Sequence, residues 1–73
     1  MIAQNTNYRH YKGERYRVLF TANDSTNNRD GRQVVIYVSL AHGFIFCRDL
    51  DEFTEEVKWP DGKMRSRFVA DTD

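Results

Sequence analysis

A chain of 73 residues is too short to hold two independent cores, so it reads as one small domain spanning 1–73 with an ordered core over about 7–70. At 40% hydrophobic and 14% aromatic residues it is not a disordered chain. Eleven basic and eleven acidic side chains cancel to a formal net charge of zero, which removes any whole-molecule field that would draw it to nucleic acid or to a membrane.

Tyr8 to Lys12 is aromatic and basic, Gly13-Glu14 reads as a turn, and Arg15 to Ala22 resumes an extended pattern in which Tyr16, Val18 and Phe20 alternate with polar residues. Leu19 interrupts that alternation. The two stretches are expected to form a hairpin. Asn23 to Arg32 has no apolar residue and is expected to be the longest loop. Gln33 to Leu40, with Val-Val-Ile-Tyr-Val at its heart, is apolar on both faces and reads as a central strand.

After an Ala41-His42-Gly43 turn, Phe44 to Arg48 returns as a strand. Asp49 to Glu56 places five acids around Leu50 and Phe53, a spacing that suits one helical turn laid over a core, with Asp49 positioned to cap it. Val57 to Trp59 and Met64 to Ala70 are expected as strands on either side of a Pro60-Asp61-Gly62-Lys63 turn. The segments before Asn7 and after Asp71 are expected to fray.

The architecture this predicts is all-β: a small SH3-like barrel of five to six short strands with one short helical turn. A five-stranded sheet with a short helix packed on one side is the alternative. Trp59 is expected in the core beside Val57, and Tyr8, near a chain end, as an exposed platform.

Cys47 is the single cysteine, so no internal disulfide forms, and a cytoplasmic, reducing compartment is expected. The opening Met-Ile-Ala-Gln-Asn-Thr-Asn has neither a basic n-region nor an apolar h-region, and the longest apolar runs are too short to cross a bilayer. Within Phe-Ile-Phe-Cys, Cys47 reads as a buried, inert side chain. His10 and His42 have no metal-ligand spacing, the four glycines are scattered, and the acids of Asp49 to Glu56 read as the solvated side of the helical turn. No catalytic residue, metal or cofactor is therefore expected. A chain this small gains stability by burying more surface, so a homo-oligomer is among the expectations, with no symmetry specified.

The opening Tyr8-Arg9-His10-Tyr11-Lys12-Gly13, followed by Tyr16-Arg17-Val18-Leu19, resembles the start of a small bacterial and phage family, Domain of Unknown Function 1653. The resemblance continues through Val34 to Tyr37, Gly43 to Arg48, Phe53 to Val57, Asp61-Gly62-Lys63 and Arg67-Phe68. The chain departs from the family pattern at Asn23-Asp24-Ser25-Thr26 and at Phe46-Cys47-Arg48-Asp49, where the family usually has His-Ser-Glu-Thr and Trp-Val-Arg-Pro. What the resemblance implies is a compact β fold, with no established activity.

Function is expected to be binding. Residues 1–34 carry six basic against three acidic groups and the remainder five against eight, which predicts either a basic face or, as preferred, charges intermixed on folding. Tyr8, Arg9, His10 and Tyr11 are the candidates to stack on or hydrogen-bond a ligand, and Lys12, Arg48 and Arg67 to meet phosphates. The expected ligand is a nucleotide or a short single-stranded nucleic acid. The alternative is a protein-interaction adaptor whose groove, lined by Tyr and Trp59 and rimmed by the acids of Asp49 to Glu56, takes a peptide or partner protein.

Overall fold

A computed structural model describes Ile2 and residues 4–71. Among the described residues seven strands run in chain order: β1 (Thr6–His10), β2 (Arg15–Asp24), β3 (Arg32–Ser39), β4 (Ile45–Asp49), β5 (Glu56–Lys58), β6 (Met64–Ser66) and β7 (Phe68–Ala70). A single-turn 3-10 helix (Asn27–Arg29) interrupts the long loop, and a short helix α1 (Leu50–Thr54) follows β4. The mostly-β expectation holds. The main sheet is antiparallel with order β4-β3-β2-β1-β7, and β5 pairs with β6 in a separate two-stranded sheet. With β4 and β7 at its two ends, this is the five-stranded sheet with a short packed helix, not a closed barrel.

Local chemistry accounts for the turns and the irregularity. Gly13, at φ 102°, closes the β1–β2 turn by donating its N–H to His10 O at 2.8 Å, a conformation that only glycine adopts without strain. Leu19 is the extra residue of a β-bulge: Val18 pairs with Tyr37 and Phe20 with Ile36, leaving Leu19 unmatched.

Cross-strand partners share a face, so the register sorts the sheet into two surfaces. Tyr8, His10, Tyr16, Val18, Val35, Tyr37, Phe46, Arg48 and Phe68 lie on the inner face. Arg9, Arg15, Arg17, Phe20, Ile36, Val38, Ile45 and Cys47 lie on the outer one. The core sits between the inner face and α1. Phe53 is fully buried there, its ring edge-on to Tyr8 and Tyr37 at 5.5 Å and stacked on Phe68 at 4.0 Å.

Several expectations change. Tyr8 is 7% exposed and belongs to the core, because β7 adds outside β1 and turns a chain end into an interior strand under α1. Trp59 is only half-buried, since it ends the separate β5–β6 pair. There its indole N–H donates to Ser66 O at 2.9 Å and Arg65 covers its ring at 5.4 Å. Cys47 is exposed, on an edge strand whose outer face carries no second layer among the described residues. For the same reason β3 is paired on both sides while Ile36 and Val38 are only half-buried.

The segment read as one final strand is two, β6 and β7, joined at Arg67. Asp49 begins α1 without a side-chain cap, its carboxylate taken by Arg29. Of the ends expected to fray, Asn5 donates its N–H to Val18 O at 2.8 Å and Thr6 begins β1, while Met1, Ala3, Thr72 and Asp73 lie outside the described residues.

Candidate functional site

The α1 helix is five residues long and covers only part of the inner face. Beyond it aromatic residues of β1, β2 and β4, and of the turns that adjoin β1 and β4, continue as a strip across the sheet. Tyr11 and His10 lie 4.6 Å apart by ring centroids, His10 and Tyr16 6.2 Å, Tyr16 and Phe46 6.3 Å, Phe46 and Phe44 6.5 Å, and Phe44 and His42 6.2 Å. Phe44 is 64% exposed and Phe46 42%, while Tyr11, His10 and Tyr16 are half-buried. The strip exists because strands expose every second residue on one face, and here those residues are aromatic on β1 and β2 and again on β4, with the small Ser39 of β3 opposite Tyr16 between them.

Cations border the strip. Arg48 lies over the Phe68 ring at 5.8 Å, its Nε–H donating to Tyr37 Oη at 3.3 Å and its Nη1 3.8 Å from Glu52. Lys12 stands 5.8 Å from the Tyr11 ring centroid. Arg67 is more committed: its Nε–H donates to Glu52 O at 3.0 Å and its Nη2–H to Glu55 Oε1 at 2.7 Å, stapling α1 to the corner between β6 and β7. Burial, then Arg48, Lys12 and Arg67, push the His10 imidazole below its ordinary value. Its Nδ1 accepts the Lys12 N–H at 3.2 Å, which leaves the proton of the neutral ring on Nε2.

The sequence candidates therefore divide. His10, Tyr11, Lys12 and Arg48 come together at the strip, with Arg67 behind them. Tyr8 is buried under α1 and offers no ring to a ligand. Arg9 points to the outer face, where it pairs with Asp71 at 3.6 Å. Tyr16, Phe44 and Phe46 were not singled out in the sequence. The signal that could have found them is the alternation of Phe44 with Phe46, and of Tyr16 with Val18, on strands that flank the central one.

Two hollows lie toward the end of β4 that leads into α1. One of about 510 Å³ is lined by Asp24, Arg29, Val34, Cys47, Arg48, Asp49 and Glu52, and its charges are already paired as Arg29 with Asp24 and Asp49, and Arg48 with Glu52. Another of about 320 Å³ lies between Gly31 to Gln33 and Asp49 to Asp51. The strip is a shallow surface, and stacking requires an exposed ring face, not a cavity.

Among the described residues no three His, Cys, Asp or Glu side chains stand close enough to hold a metal ion, and no helix is long and apolar enough to cross a membrane. Glu52 and Glu55, the carboxylates of the acidic segment nearest the strip, are each 58% exposed and paired with arginine. Comparison with curated proteins and with solved structures returned no match. The likeness that did emerge covers β1 to β7 almost entirely: residues 6–70 match a family model described as a protein of unknown function, DUF1653, and the chain belongs to that family.

Proposed function

We propose that this domain is a non-catalytic binding module that takes a nucleotide or a short single-stranded nucleic acid on the inner-face strip. The observation that carries the reading is the uninterrupted run of rings from Tyr11 to His42 with Arg48 and Lys12 at its border. Bases stack on such rings whatever their sequence, and guanidinium and ammonium groups meet phosphate oxygens. A zero net charge favours a compact ligand over extended duplex, whose binding is dominated by many phosphate contacts. The free thiol of Cys47 agrees with a module that works in the cytoplasm.

Titration at low salt against single-stranded oligonucleotides and a panel of nucleotides, followed by calorimetry or amide chemical shifts, is the direct test. Saturable binding is expected, weakened by about 1 to 3 kcal/mol in Phe46→Ala if that ring stacks on a base. Absence of a saturable response across the whole panel would end the proposal.

A second reading, the protein-interaction adaptor, draws on the opposite surface. Phe20 is 48% and Ile45 66% exposed on the outer face, whereas Trp59 is occupied by Ser66 and Arg65. Cross-linking to a protein that survives nuclease treatment, lost in Phe20→Ser and kept in Phe46→Ala, would favour it.

A further inference from the structure

We propose that β4 is a self-association edge: two copies pair β4 with β4, antiparallel about a two-fold axis, and fuse their five-stranded sheets into one. The inference rests on the sheet edge and needs no ligand, and the pairing it describes brings Phe44, Phe46 and Arg48 of the two strips together.

The backbone fixes which groups β4 offers. Ser39 N–H donates to Phe44 O at 2.9 Å, and the register continues as Val38 with Ile45, Tyr37 with Phe46 and Ile36 with Cys47. In an antiparallel ladder, successive residues alternately turn both polar backbone groups toward the partner strand and away from it. Phe44, Phe46 and Arg48 therefore use theirs on β3, while Ile45 and Cys47 turn theirs outward. Protein edges are ordinarily blunted by brevity, lysine, proline or a bulge. The opposite edge, β7, has three residues, whereas β4 has five and none of those devices in its Ile-Phe-Cys run. Ile45 is 66% exposed and Phe46 42%, so both faces of the edge are apolar.

Self-complementarity selects a second copy as the occupant. With Phe46 on the axis, Ile45 of each copy opposes Cys47 of the other, and those are the residues whose N–H and C=O point outward. On the inner face Phe46 meets Phe46, and Arg48 meets Phe44 of the second copy, a cation over an aromatic ring. No like charges are opposed. A shift that puts Cys47 on the axis would instead set Asp49 against Ile45. On the outer face the row of Phe20, Ile36 and Cys47 in one copy runs into the row of Ile45 and Val38 of the other. The zero formal charge leaves no net repulsion between identical chains.

Sedimentation over a dilution series in reducing buffer reads the state directly. Wild type is expected to approach twice its 8.7 kDa mass as concentration rises, with exchange of the Ile45 and Cys47 amides slowing in parallel. Cys47→Pro removes only an outward N–H, and Cys47→Lys sets two added cations near each other across the axis. Both are expected to be monomers with unchanged far-UV dichroism. If Cys47→Pro does not fold, Cys47→Lys and the amide exchange decide. A wild type that stays at 8.7 kDa throughout overturns the proposal. So does a dimer that persists in Cys47→Lys, or one that persists in a folded Cys47→Pro and thereby puts the contact on the outer sheet face.

Discussion

Arg9 and Arg15 stand directly opposite each other on β1 and β2, a like-charge pair on the outer face of the sheet. Asp71 resolves it. Its carboxylate, with the side chain only 5% exposed, accepts from Arg15 Nε–H at 2.6 Å and lies 3.6 Å from Arg9, while its own N–H donates to Asn7 O at 2.8 Å. One acid just beyond β7 thus neutralises two cations and ties the end of the chain to its beginning. Arg29 inverts the arrangement, one cation between the two acids Asp24 and Asp49. The basic first half and acidic second half are therefore intermixed at both places.

Asp71→Asn is expected to lower stability by about 1.5 to 3 kcal/mol, the range for hydrogen bonds to charged partners, because it also leaves two arginines facing each other. Adding Arg9→Gln should recover part of that loss. Urea unfolding of the two single variants and the double variant closes the cycle; strictly additive losses would mean the two arginines do not feel each other through Asp71.

The Phe53 ring lies 4.0 Å from that of Phe68 with the planes 3° apart, and Phe53 is the largest fully buried side chain. α1 inserts it as an apolar plug between Tyr8, Tyr37 and Phe68. Phe53→Ala should cost about 3 to 5 kcal/mol, a large part of the stability of a domain this size. Phe53→Leu should cost clearly less. Equal losses for the two, measured by chemical denaturation, would show that ring packing is not what holds α1 down.

Tyr8→Ala removes a core ring and is expected to destabilise by about 3 kcal/mol or more. Trp59→Ala removes a half-buried indole and its bond to Ser66 O, for which about 1 to 2 kcal/mol is expected. Thermal melts rank the pair, and a lower midpoint for Trp59→Ala than for Tyr8→Ala would contradict the burial pattern.

That ranking reverses what the sequence alone suggests, and the reason is topological. Patterns carried by neighbouring residues are legible: the Tyr16-Val18-Phe20 alternation, its break at Leu19, the Gly13 and Gly62 turns, and the Leu50-Phe53 spacing each appear where the sequence places them. The β1–β7 pairing is not a local pattern. It joins Tyr8 to Ala70 and His10 to Phe68 across almost the full chain, and no periodicity announces it. That pairing buries Tyr8. Coverage is equally illegible: apolar runs in β3 and β4 do not say that a five-residue helix will shield only part of one face. Exposed Cys47, Phe44 and Phe46 follow from that shortfall. At the candidate site, sequence brought His10, Tyr11, Lys12 and Arg48 into view, while Tyr16 and Phe46 required the strand register.

His10 offers the last prediction. Burial, followed by Arg48, Lys12 and Arg67, holds its folded pKa below 6.5, whereas the unfolded chain leaves it at its ordinary value. Between those two values the unfolded state binds more protons, so stability rises with pH there. The stabilisation from keeping His10 neutral is complete above about 6.5 and is lost as pH falls toward the folded pKa. Urea melts on either side of that window should show the loss, and His10→Gln should flatten the slope. An NMR titration of the imidazole should give a midpoint below 6.5. The same signal reports on the strip: an anionic ligand held by Arg48 and Lys12 would offset the cations that disfavour imidazolium and move the midpoint upward. A midpoint at or above 6.5 in the free protein would mean that His10 is neither desolvated nor under the influence of Arg48, and would remove it from the site.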